Sequence, residues 1–573
     1  MDSIFPIYTL HNECHDCYKC VRECYVKAIK INDGHASVMD RKCLFCGHCV
    51  RVCPSNAKRI RCDLSRVKNL IGEQKRVFVS LAPSWAGVFE LSDAGMVAVL
   101  RKLGFTGVSE TALGAQEVSI AAATILRNGE NELYISSACP VIVDFIRMYH
   151  PEFVDTIVPL ASPALTHAKM LKDIYGQDIH VVFIGPCASK KTEAYKHPEL
   201  IDSALTFEEL YSWINDKHIN FGDIEFTITD SDKFIPESSY EGSLYPIKGG
   251  MIETIKQVGV TEDVYMLTIS SIERFDKALK RFNLQKINRK IFIEALACDD
   301  GCVNGPGIYT KRSGINVTAD ILERIDKRDK IPQTAKVVVG ERYRAEPVEV
   351  KKYTLAELAR AMQKIGKYDE ADELNCGGCG YQTCRDLAGA LLAGEAEPSM
   401  CVSYMRKVAM KKADAMLRCM PSASVIADHN LNVLEANDAF LRMFCSDAHE
   451  YIASHPEALK GVLLDKVVNF TDIITSTLKT GQDIHMEHFP VNDKLFDIMA
   501  FTIEPNAVVG AIITDVTESE AGRHQIARTA QDVIAKNISA VQNIAYLLGE
   551  HMEETEALLN TLAGGDKTDS PAE

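Results

Sequence analysis

The chain has 573 residues, 46% of them hydrophobic, and a formal net charge of −16 at pH 7. Its length indicates about four domains, and its composition supplies a core for each of them. The acidic balance argues against nucleic acids and anionic membranes as partners, because both require basic surfaces. No apolar stretch approaches the ~18 residues of a membrane helix, and the N-terminus lacks the segments of a signal peptide. We therefore expect a cytoplasmic protein.

Cysteine is the most informative residue type in the chain. There are 19 cysteines, and most of them stand in tight groups. In a long chain for which no leader is expected, such groups favour metal binding in a reducing compartment over disulfides.

One cysteine spacing occurs twice near the N-terminus. Residues 14–24 read C-x2-C-x2-C-x3-C, and residues 43–53 repeat it. The spacing is typical of two-cluster ferredoxins, in which the fourth cysteine of each run binds the other cluster. We expect two 4Fe-4S clusters, because a zinc site, the alternative, does not need eight thiolates in this order. The first group would be Cys14, Cys17, Cys20 and Cys53, and the second group Cys24, Cys43, Cys46 and Cys49.

Residues 67–345 alternate strand-like and helical segments. Strand-like runs cover 76–81, 132–136, 180–184 and 290–295, and helical segments include 92–103 and 161–174. This alternation predicts an α/β domain with a mostly parallel sheet. A third group of cysteines, Cys139, Cys187, Cys298 and Cys302, follows the later runs, where such folds place ligands.

The three segments around the third group resemble the signature loops of FeFe-hydrogenases. The resemblance implies that these cysteines hold a 4Fe-4S cluster. Cys302 would bridge it to a 2Fe unit that carries CO, cyanide and a dithiolate, and together they form the hydrogen-activating H-cluster. Lys190 matches a lysine that hydrogen-bonds one cyanide. Ala82 and Pro83 match a pair whose backbone cradles the other, and Ser162 matches a serine of the same pocket.

The chain departs from the family pattern where protons are carried. Ala138 replaces a proton-carrying cysteine, and a methyl group cannot relay a proton. The other replacements are Gly185 and Leu296 for methionines, Ala164 for a glutamine, and Ala121 and Ala122 for paired glutamates. Acid–base steps typically contribute ~10²–10⁴-fold in rate, so we expect slow turnover. Glu117 and Glu193 are candidates for another relay, although Glu193 equally fits an ordinary helix-face carboxylate.

A fourth group of cysteines follows at Cys376, Cys379, Cys384 and Cys401, with the spacing C-x2-C-x4-C-x16-C. It resembles a small 4Fe-4S module found beside sensor domains, and a structural zinc site is the alternative. Cys62, Cys419 and Cys445 remain, and we expect them to pack as small apolar residues.

The last part of the chain carries no metal motif. Residues 412–518 resemble a PAS domain, with strands at 423–427, 433–435, 484–489, 494–503 and 507–515 and a helix at 437–444. No residue there indicates a bound haem or flavin, and His429 fits a turn better than a ligand. The segment after it predicts a coiled coil and a homodimer, although packing on the chain's own PAS-like domain would give the same periodicity. Its seam comprises Ile534, Ile538, Val541, Ala545, Leu548, Met552, Thr555, Leu559 and Leu562.

These segments together predict a multidomain α/β and α+β protein. Its parts are a two-cluster ferredoxin domain (1–66), an α/β H-cluster domain (67–345), a small 4Fe-4S domain (350–411), a PAS-like α+β domain (412–518), a coiled-coil helix (519–563) and a disordered tail (564–573).

Three functions are compatible with these parts. The first, which we favour, is a sensory FeFe-hydrogenase that binds or slowly turns over H2 and passes the redox change through the PAS-like domain and coiled coil to a signalling partner. The second is a metabolic hydrogenase that exchanges electrons with a ferredoxin-like carrier. The third is a non-enzymatic iron–sulfur sensor or scaffold, against which the retention of Lys190, Ala82 and Pro83 argues.

Overall fold

The computed structural model describes residues 5–236, 241–259, 263–282, 289–308, 314–324, 332, 334–448, 451–452, 458–491, 494–517, 533–539 and 541. The chain divides into two compact units, Met1–Met400 and Cys401–Glu573. Within the described ranges, none of the helices combines the length and the apolar character that crossing a membrane requires.

The ferredoxin-like part consists of two short helices and two antiparallel strand pairs, β1 with β4 and β2 with β3. Each helix begins after a residue in the left-handed region, Tyr18 (φ 54°) or Gly47 (φ 77°), so the two cysteine runs fold alike. The elements are β1 (Ile7–Thr9), α1 (Lys19–Glu23), β2 (Ile29–Asn32), β3 (His35–Val38), α2 (His48–Arg51) and β4 (Lys58–Ile60).

The predicted α/β domain contains two parallel sheets rather than one. Their strand orders are β6-β5-β8-β9 and β10-β11-β7. The predicted strand-like runs match β5, β7, β8 and β11, so the pattern located the strands but not their partners. The strands are β5 (Val77–Leu81), β6 (Gly107–Glu110), β7 (Leu133–Ile135), β8 (His180–Gly185), β9 (Ser203–Thr206), β10 (Val264–Ser270) and β11 (Lys290–Leu296).

Helices cover both sheets, which explains why β5 is buried along its whole length and apolar except at Ser80. They are α3 (Leu64–Gly72), α4 (Asp93–Lys102), α5 (Thr111–Asn128), α6 (Pro140–Tyr149), α7 (Pro163–Tyr175), α8 (Lys190–Lys196), α9 (Phe207–Asp216), α10 (Phe221–Glu225), α11 (Gly250–Val258), α12 (Ile272–Lys280) and α13 (Gly314–Arg324). Two more, α14 (Leu355–Gln363) and α15 (Cys384–Leu392), precede the end of the first unit.

The second unit begins with a helix and continues as a PAS-like antiparallel sheet of order β13-β12-β16-β15-β14. Its strands agree with the predicted runs. The elements are α16 (Val402–Cys419), β12 (Ala423–Asp428), β13 (Val433–Ala436), α17 (Asp438–Phe444), α18 (Thr471–Thr480), β14 (Ile484–Val491), β15 (Lys494–Glu504) and β16 (Val508–Asp515). Helix α16 runs across the predicted boundary at 411/412, and the predicted domain limits remain predictions.

Asn437 fastens α16 to this sheet. Its amide nitrogen donates to the carbonyl oxygens of Leu417 (3.2 Å) and Ser422 (2.8 Å). Its side-chain oxygen accepts from the backbone N–H groups of Ser424 and Phe440, each at 2.9 Å. One buried amide thus connects the end of α16, the first strand and the start of α17.

Most of the predicted coiled coil lies outside the described residues. Residues 533–539 are helical, and they include Ile534 and Ile538 of the predicted seam. Ala545, Leu548, Met552, Thr555, Leu559, Leu562 and the tail 564–573 lie outside the described part, so the dimer stays a prediction.

Candidate functional site

The third group of cysteines meets at one cavity. Cys139 follows β7, Cys187 follows β8, and Cys298 follows β11, so the cavity lies where the carboxyl ends of the two parallel sheets converge. About 980 Å³ of space, part of it open to solvent, lies between its walls, and all four cysteines line it. Cys302 begins a 3₁₀ turn, Cys302–Asn304, at the same wall.

The four thiols are buried and close enough to influence one another. Burial raises the pKa of Cys187 to about 11, and Cys139 adds to this effect while Lys190 opposes it. Burial also raises the pKa of Cys298 and Cys302, and the other thiols of the group add to it. Four neighbouring thiolates in such a place require a compensating cation. The donor set therefore fits an iron–sulfur cluster bound by four cysteines.

One wall of the cavity offers hydrogen-bond donors. Ala82 and Pro83 follow β5 and line the cavity as predicted. However, the N–H of Ala82 donates to Ile184 O (2.8 Å), and Pro83 has no N–H. The hydroxyl of Ser84, the next residue, lines the same wall and has no hydrogen-bond partner among the described residues. Ser84, which the sequence analysis missed, is thus the donor available there to a small bound anion.

Lys190 supplies the second donor. Its side chain is buried at the cavity wall, and Nζ donates to Ser162 Oγ (2.7 Å) and to Glu193 Oε2 (2.5 Å). Ser162 is the N-cap of α7 and does not itself line the cavity. Ser162 and Glu193 therefore act on the cavity through Lys190, which they hold in place.

Gly185 has a structural reason in this chain. A Cβ at this position would lie 2.6 Å from the Phe183 ring and 2.8 Å from Ala82 Cβ. The Phe183 ring lines the cavity and fills the space that a longer side chain at 185 would need. Ala164 and Leu296 line the cavity as well, so these departures enlarge its apolar surface.

The wall around Ala138 is apolar. Ala138 lines the cavity and packs against a buried cluster that includes Ala121 and Ala122. Glu117, one relay candidate, uses its carboxylate elsewhere: it accepts from the backbone N–H groups of Lys336 (2.5 Å) and Val337 (3.0 Å). Glu193, the other candidate, is paired with Lys190.

Glu294 is a carboxyl group that the sequence analysis missed. It lies on β11, is buried, and lines the cavity. Burial raises its pKa to about 7, although hydrogen bonds from Met251 N (3.3 Å) and Thr268 Oγ1 (3.3 Å) oppose the shift. Thr268 stands on the edge strand β10 and is partly exposed. Glu294 thus connects the cavity with the outer strand of its sheet, and in the sequence only its polarity within an apolar run distinguishes it.

The ferredoxin-like part brings its cysteines together in the predicted groups. Burial raises the pKa of Cys20, and the nearby Cys17, Cys14 and Cys53 add to the rise. Burial likewise raises the pKa of Cys49, and Cys46, Cys43 and Cys24 add to it. Cys46 lines the cavity of the third group and also the neighbouring cavity that contains Cys24, Cys43 and Cys49. The second group therefore borders the third group directly.

The cysteines of the fourth group differ in their exposure. Cys376 is exposed, Cys379 is half-buried, and Cys384 is buried as the first residue of α15. The N–H of Cys384 donates to Asn375 Oδ1 (2.8 Å), which fixes the loop against the helix. Cys401 is the first residue of the second unit and precedes α16.

Three family models match the chain, and together they contain all sixteen predicted cysteine ligands. Residues 75–306 match the iron-only hydrogenase large subunit, C-terminal domain. Residues 7–54 match a 4Fe-4S dicluster domain, and residues 372–403 match an Fe-S cluster family. The first match confirms the resemblance of residues 75–306 to the FeFe-hydrogenases.

Individual relatives are distant. Iron hydrogenase 1 of Clostridium pasteurianum is 26% identical over 365 residues, which cover 52% of this chain and 63% of that protein. Cytosolic iron-sulfur assembly component 3 of Mus musculus is 24% identical over 351 residues, 48% of this chain and 72% of that protein. The chain thus spans less than two thirds of the bacterial hydrogenase.

A part of the chain is similar in structure to the PAS domain of nitrogen regulation protein NR(II) from Vibrio parahaemolyticus. The identity is 18% and the TM-score 0.15, with 18% of this chain and 95% of that domain covered. The sheet is PAS-like in its strand order, β13-β12-β16-β15-β14.

Proposed function

We propose that this protein is a sensory FeFe-hydrogenase, which binds H2 or turns it over slowly and passes the resulting redox change to a signalling partner. One observation carries the proposal. The cavity keeps four cysteines and two hydrogen-bond donors, Ser84 and Lys190, but Ala138 at its wall packs against an apolar cluster. A site that holds the cofactor and supplies protons slowly suits detection better than metabolism.

The residues of the chain have distinct tasks in this proposal. Cys139, Cys187, Cys298 and Cys302 would hold the H-cluster, whose 2Fe unit supplies, when bound, the two-electron chemistry of H2. Lys190 and Ser84 would hydrogen-bond its anionic ligands, since charge-assisted bonds in a water-poor cavity are strong. Apolar Phe183, Ala164 and Leu296 would exclude water from the rest of the cavity.

Glu294 is the group we propose as proton carrier. It faces the cavity, and a carboxyl with a pKa near 7 both accepts and releases protons at neutral pH. Thr268 Oγ1, at 3.3 Å from Glu294 Oε2, leads from it towards the edge of the sheet. The route has few members, which agrees with slow rather than absent turnover.

Electrons would leave the cavity through the second group, because Cys46 belongs to that group and also lines the cavity. From there electrons would pass to a ferredoxin-like carrier, and the signal would pass through the PAS-like domain and a dimeric coiled coil. The partner of the coiled coil is a second protein.

Infrared spectroscopy of the full chain, loaded with iron, sulfide and a synthetic 2Fe unit, tests the proposal. We expect CO and cyanide bands that change under H2, and turnover at least about 100-fold below iron hydrogenase 1 assayed beside it. Equal turnover would support a metabolic hydrogenase instead.

The similarity to the iron–sulfur assembly component favours a second candidate, a cluster scaffold without a 2Fe unit. Such a protein would bind its iron and sulfide fully, yet give no CO or cyanide bands after the same treatment. The buried Lys190 and the unpartnered Ser84 hydroxyl at the cavity argue for the first candidate.

A further inference from the structure

The segment that ends at Met400 contains three of the four cysteines of the fourth group, and it packs on the ferredoxin-like part. Ile31 N donates to Glu395 O (3.0 Å), and Gly34 N donates to Glu397 Oε1 (3.4 Å). Lys42 Nζ donates to Glu395 Oε1 (2.5 Å) and forms an ion pair with it. These bonds join one edge of the small module to the hairpin of β2 and β3.

The cysteine loop of the module itself approaches α1. Gly380, between Cys379 and Cys384, has φ +93°, and a Cβ there would lie 3.0 Å from both the N and the Cα atoms of Arg22. Only glycine permits this approach without strain. Helix α1 ends at Glu23 and Cys24 is its C-cap, so the loop of the fourth group lies against the segment that carries a cysteine of the second group.

A lysine connects the two groups. Lys27 Nζ donates to Val21 O (3.1 Å) and Arg22 O (3.0 Å), which fixes the ammonium at the end of α1. Burial lowers the pKa of Lys27, whereas Cys24 and then Cys379 raise it. Tyr381 and Lys27 line one cleft. Burial raises the pKa of Tyr381, and the negative charges of Glu395, Cys379 and Cys24 add to the rise.

The first and second groups share a lysine in the same manner. Lys58 is buried, and its Nζ donates to Thr9 Oγ1 (2.5 Å) and Ala36 O (3.2 Å). It opposes the burial-driven pKa rise of Cys20 in the first group and of Cys49 in the second. Lys58 and Lys27 therefore both act on cysteines of the second group, and its Cys46 borders the cavity.

We propose that the second group is a branch point, from which electrons pass either to the first group or, past Lys27, directly to the fourth group. The inference rests on the proposed function for the presence of four clusters. In the step to the fourth group, one electron leaves the reduced second cluster and reduces the oxidised fourth cluster, and no proton or bond is involved. The electron originates from H2 at the cavity or, in the test, from dithionite.

Charge gives Lys27 a measurable role in this step. An iron–sulfur cluster becomes more negative when it is reduced, so a fixed cation nearby favours the reduced form and raises the potential. Lys27 should act on the second and fourth groups and Lys58 on the first and second. Each lysine is thus the matched control for the other.

The test is a dithionite titration of the full chain, loaded with iron and sulfide but not with the 2Fe unit, followed by electron paramagnetic resonance. Cys17→Ser, Cys49→Ser and Cys379→Ser assign the signals of the three groups. We expect Lys27→Met to lower the potentials of the second and fourth groups and to leave the first unchanged. Lys58→Met should lower the first and second and leave the fourth unchanged, and Lys27→Arg should resemble the unchanged protein.

A fourth-group potential that does not move in Lys27→Met, or that moves equally in Lys58→Met, would overturn the proposal. A second measurement needs no lysine variant: in the fully reduced protein the fourth-group signal should be broadened by the second group, and Cys49→Ser should remove this broadening. A fourth-group signal that is already unbroadened in the unchanged protein overturns the branch. Because no hydrogen chemistry enters the experiment, failure of the hydrogenase proposal leaves these readings intact.

Discussion

Two walls of one cavity differ in what they retain. The wall of Ser84 and Lys190 is polar, and Ser162 and Glu193 support its lysine from behind. At the other wall, the methyl group of Ala138 packs against a buried cluster that includes Ala121. The difference teaches that holding an anionic cofactor and feeding it with protons are separable properties of this fold.

The apolar wall is consistent over several residues. A carboxylate placed beside Ala138 would be buried among apolar side chains, where an unpaired charge is strongly unfavourable. The replacements at 121, 122 and 138 are therefore mutually consistent, since all three are apolar. A single substitution among them would not create a proton relay. The predictions that follow test each wall in turn.

The largest effect is expected from the cysteine that would bridge the 2Fe unit. Cys302→Ser should abolish hydrogen turnover and the CO and cyanide bands, because serine is a poor ligand for iron in place of a thiolate. Infrared spectra of the loaded protein measure this. The matched control is Cys62, which is exposed and not packed as the sequence predicted, and Cys62→Ser should leave both bands and turnover unchanged. Bands that persist in Cys302→Ser would remove the cysteine from the site.

The polar wall should be sensitive to the loss of its cation. Lys190→Met leaves Glu193 buried without a partner and should lower the free energy of unfolding by about 3 kcal/mol. Chemical denaturation measures the change. The double variant Lys190→Met/Glu193→Gln should recover much of this stability, because no buried charge remains.

The same pair of variants separates stability from cofactor binding. If Lys190 faces a bound anion, the double variant should still retain less of the 2Fe unit than the unchanged protein. Full retention in the double variant would mean that Lys190 only balances Glu193.

Glu294 should determine how turnover depends on pH. With a pKa of about 7, it is protonated below neutrality and ionised above it, so proton reduction should slow as the pH rises through 7. Glu294→Gln should lower turnover by about tenfold or more and remove this dependence. Glu117→Gln is the contrasting variant: it should weaken the anchoring of residues 336 and 337 and leave the pH profile unchanged.

Stability gives an independent reading of the same group. The pKa of Glu294 is raised in the folded protein from its ordinary 4.5, so its stabilising contribution is complete below pH 4.5 and is lost as the pH rises through 7. The loss amounts to about 3 kcal/mol. Denaturation curves of Glu294→Gln should lack this decline between pH 4.5 and 7, and an unchanged decline would assign it to other groups.

The sequence predicted the strands and the cysteine groups because both depend on local pattern. An apolar run such as β8 locates a strand, and ligand spacing groups cysteines wherever the chain later folds. Strand partners are not encoded in this way, and one predicted parallel sheet became two. The second sheet begins from β7, whose three residues pair with a strand more than 150 positions away.

Side-chain roles that depend on remote contacts were harder to predict. Glu117 holds the backbone of residues 336 and 337, which no local pattern indicates. In the sequence, Glu294 is one residue of an apolar strand. Only the structure shows that it lines the cavity. From the sequence, Gly185 was interpreted only as the loss of a methionine. In the structure, the ring of Phe183, two residues earlier, fills the space that a side chain at 185 would need.

The smallest effect is expected at the residue that first indicated slow turnover. Ala138→Cys restores a thiol at the cavity, yet Ala121 and Ala122, in the cluster behind it, carry no carboxylate to pass the proton on. A single carrier with no successor cannot conduct protons, so turnover should rise by less than about threefold. Assays of the loaded variant beside Ala138→Ser, which adds a similar volume with a weaker acid, measure the gain. A rise of 100-fold would show that the thiol alone had been missing, and the two walls would then differ by one residue only.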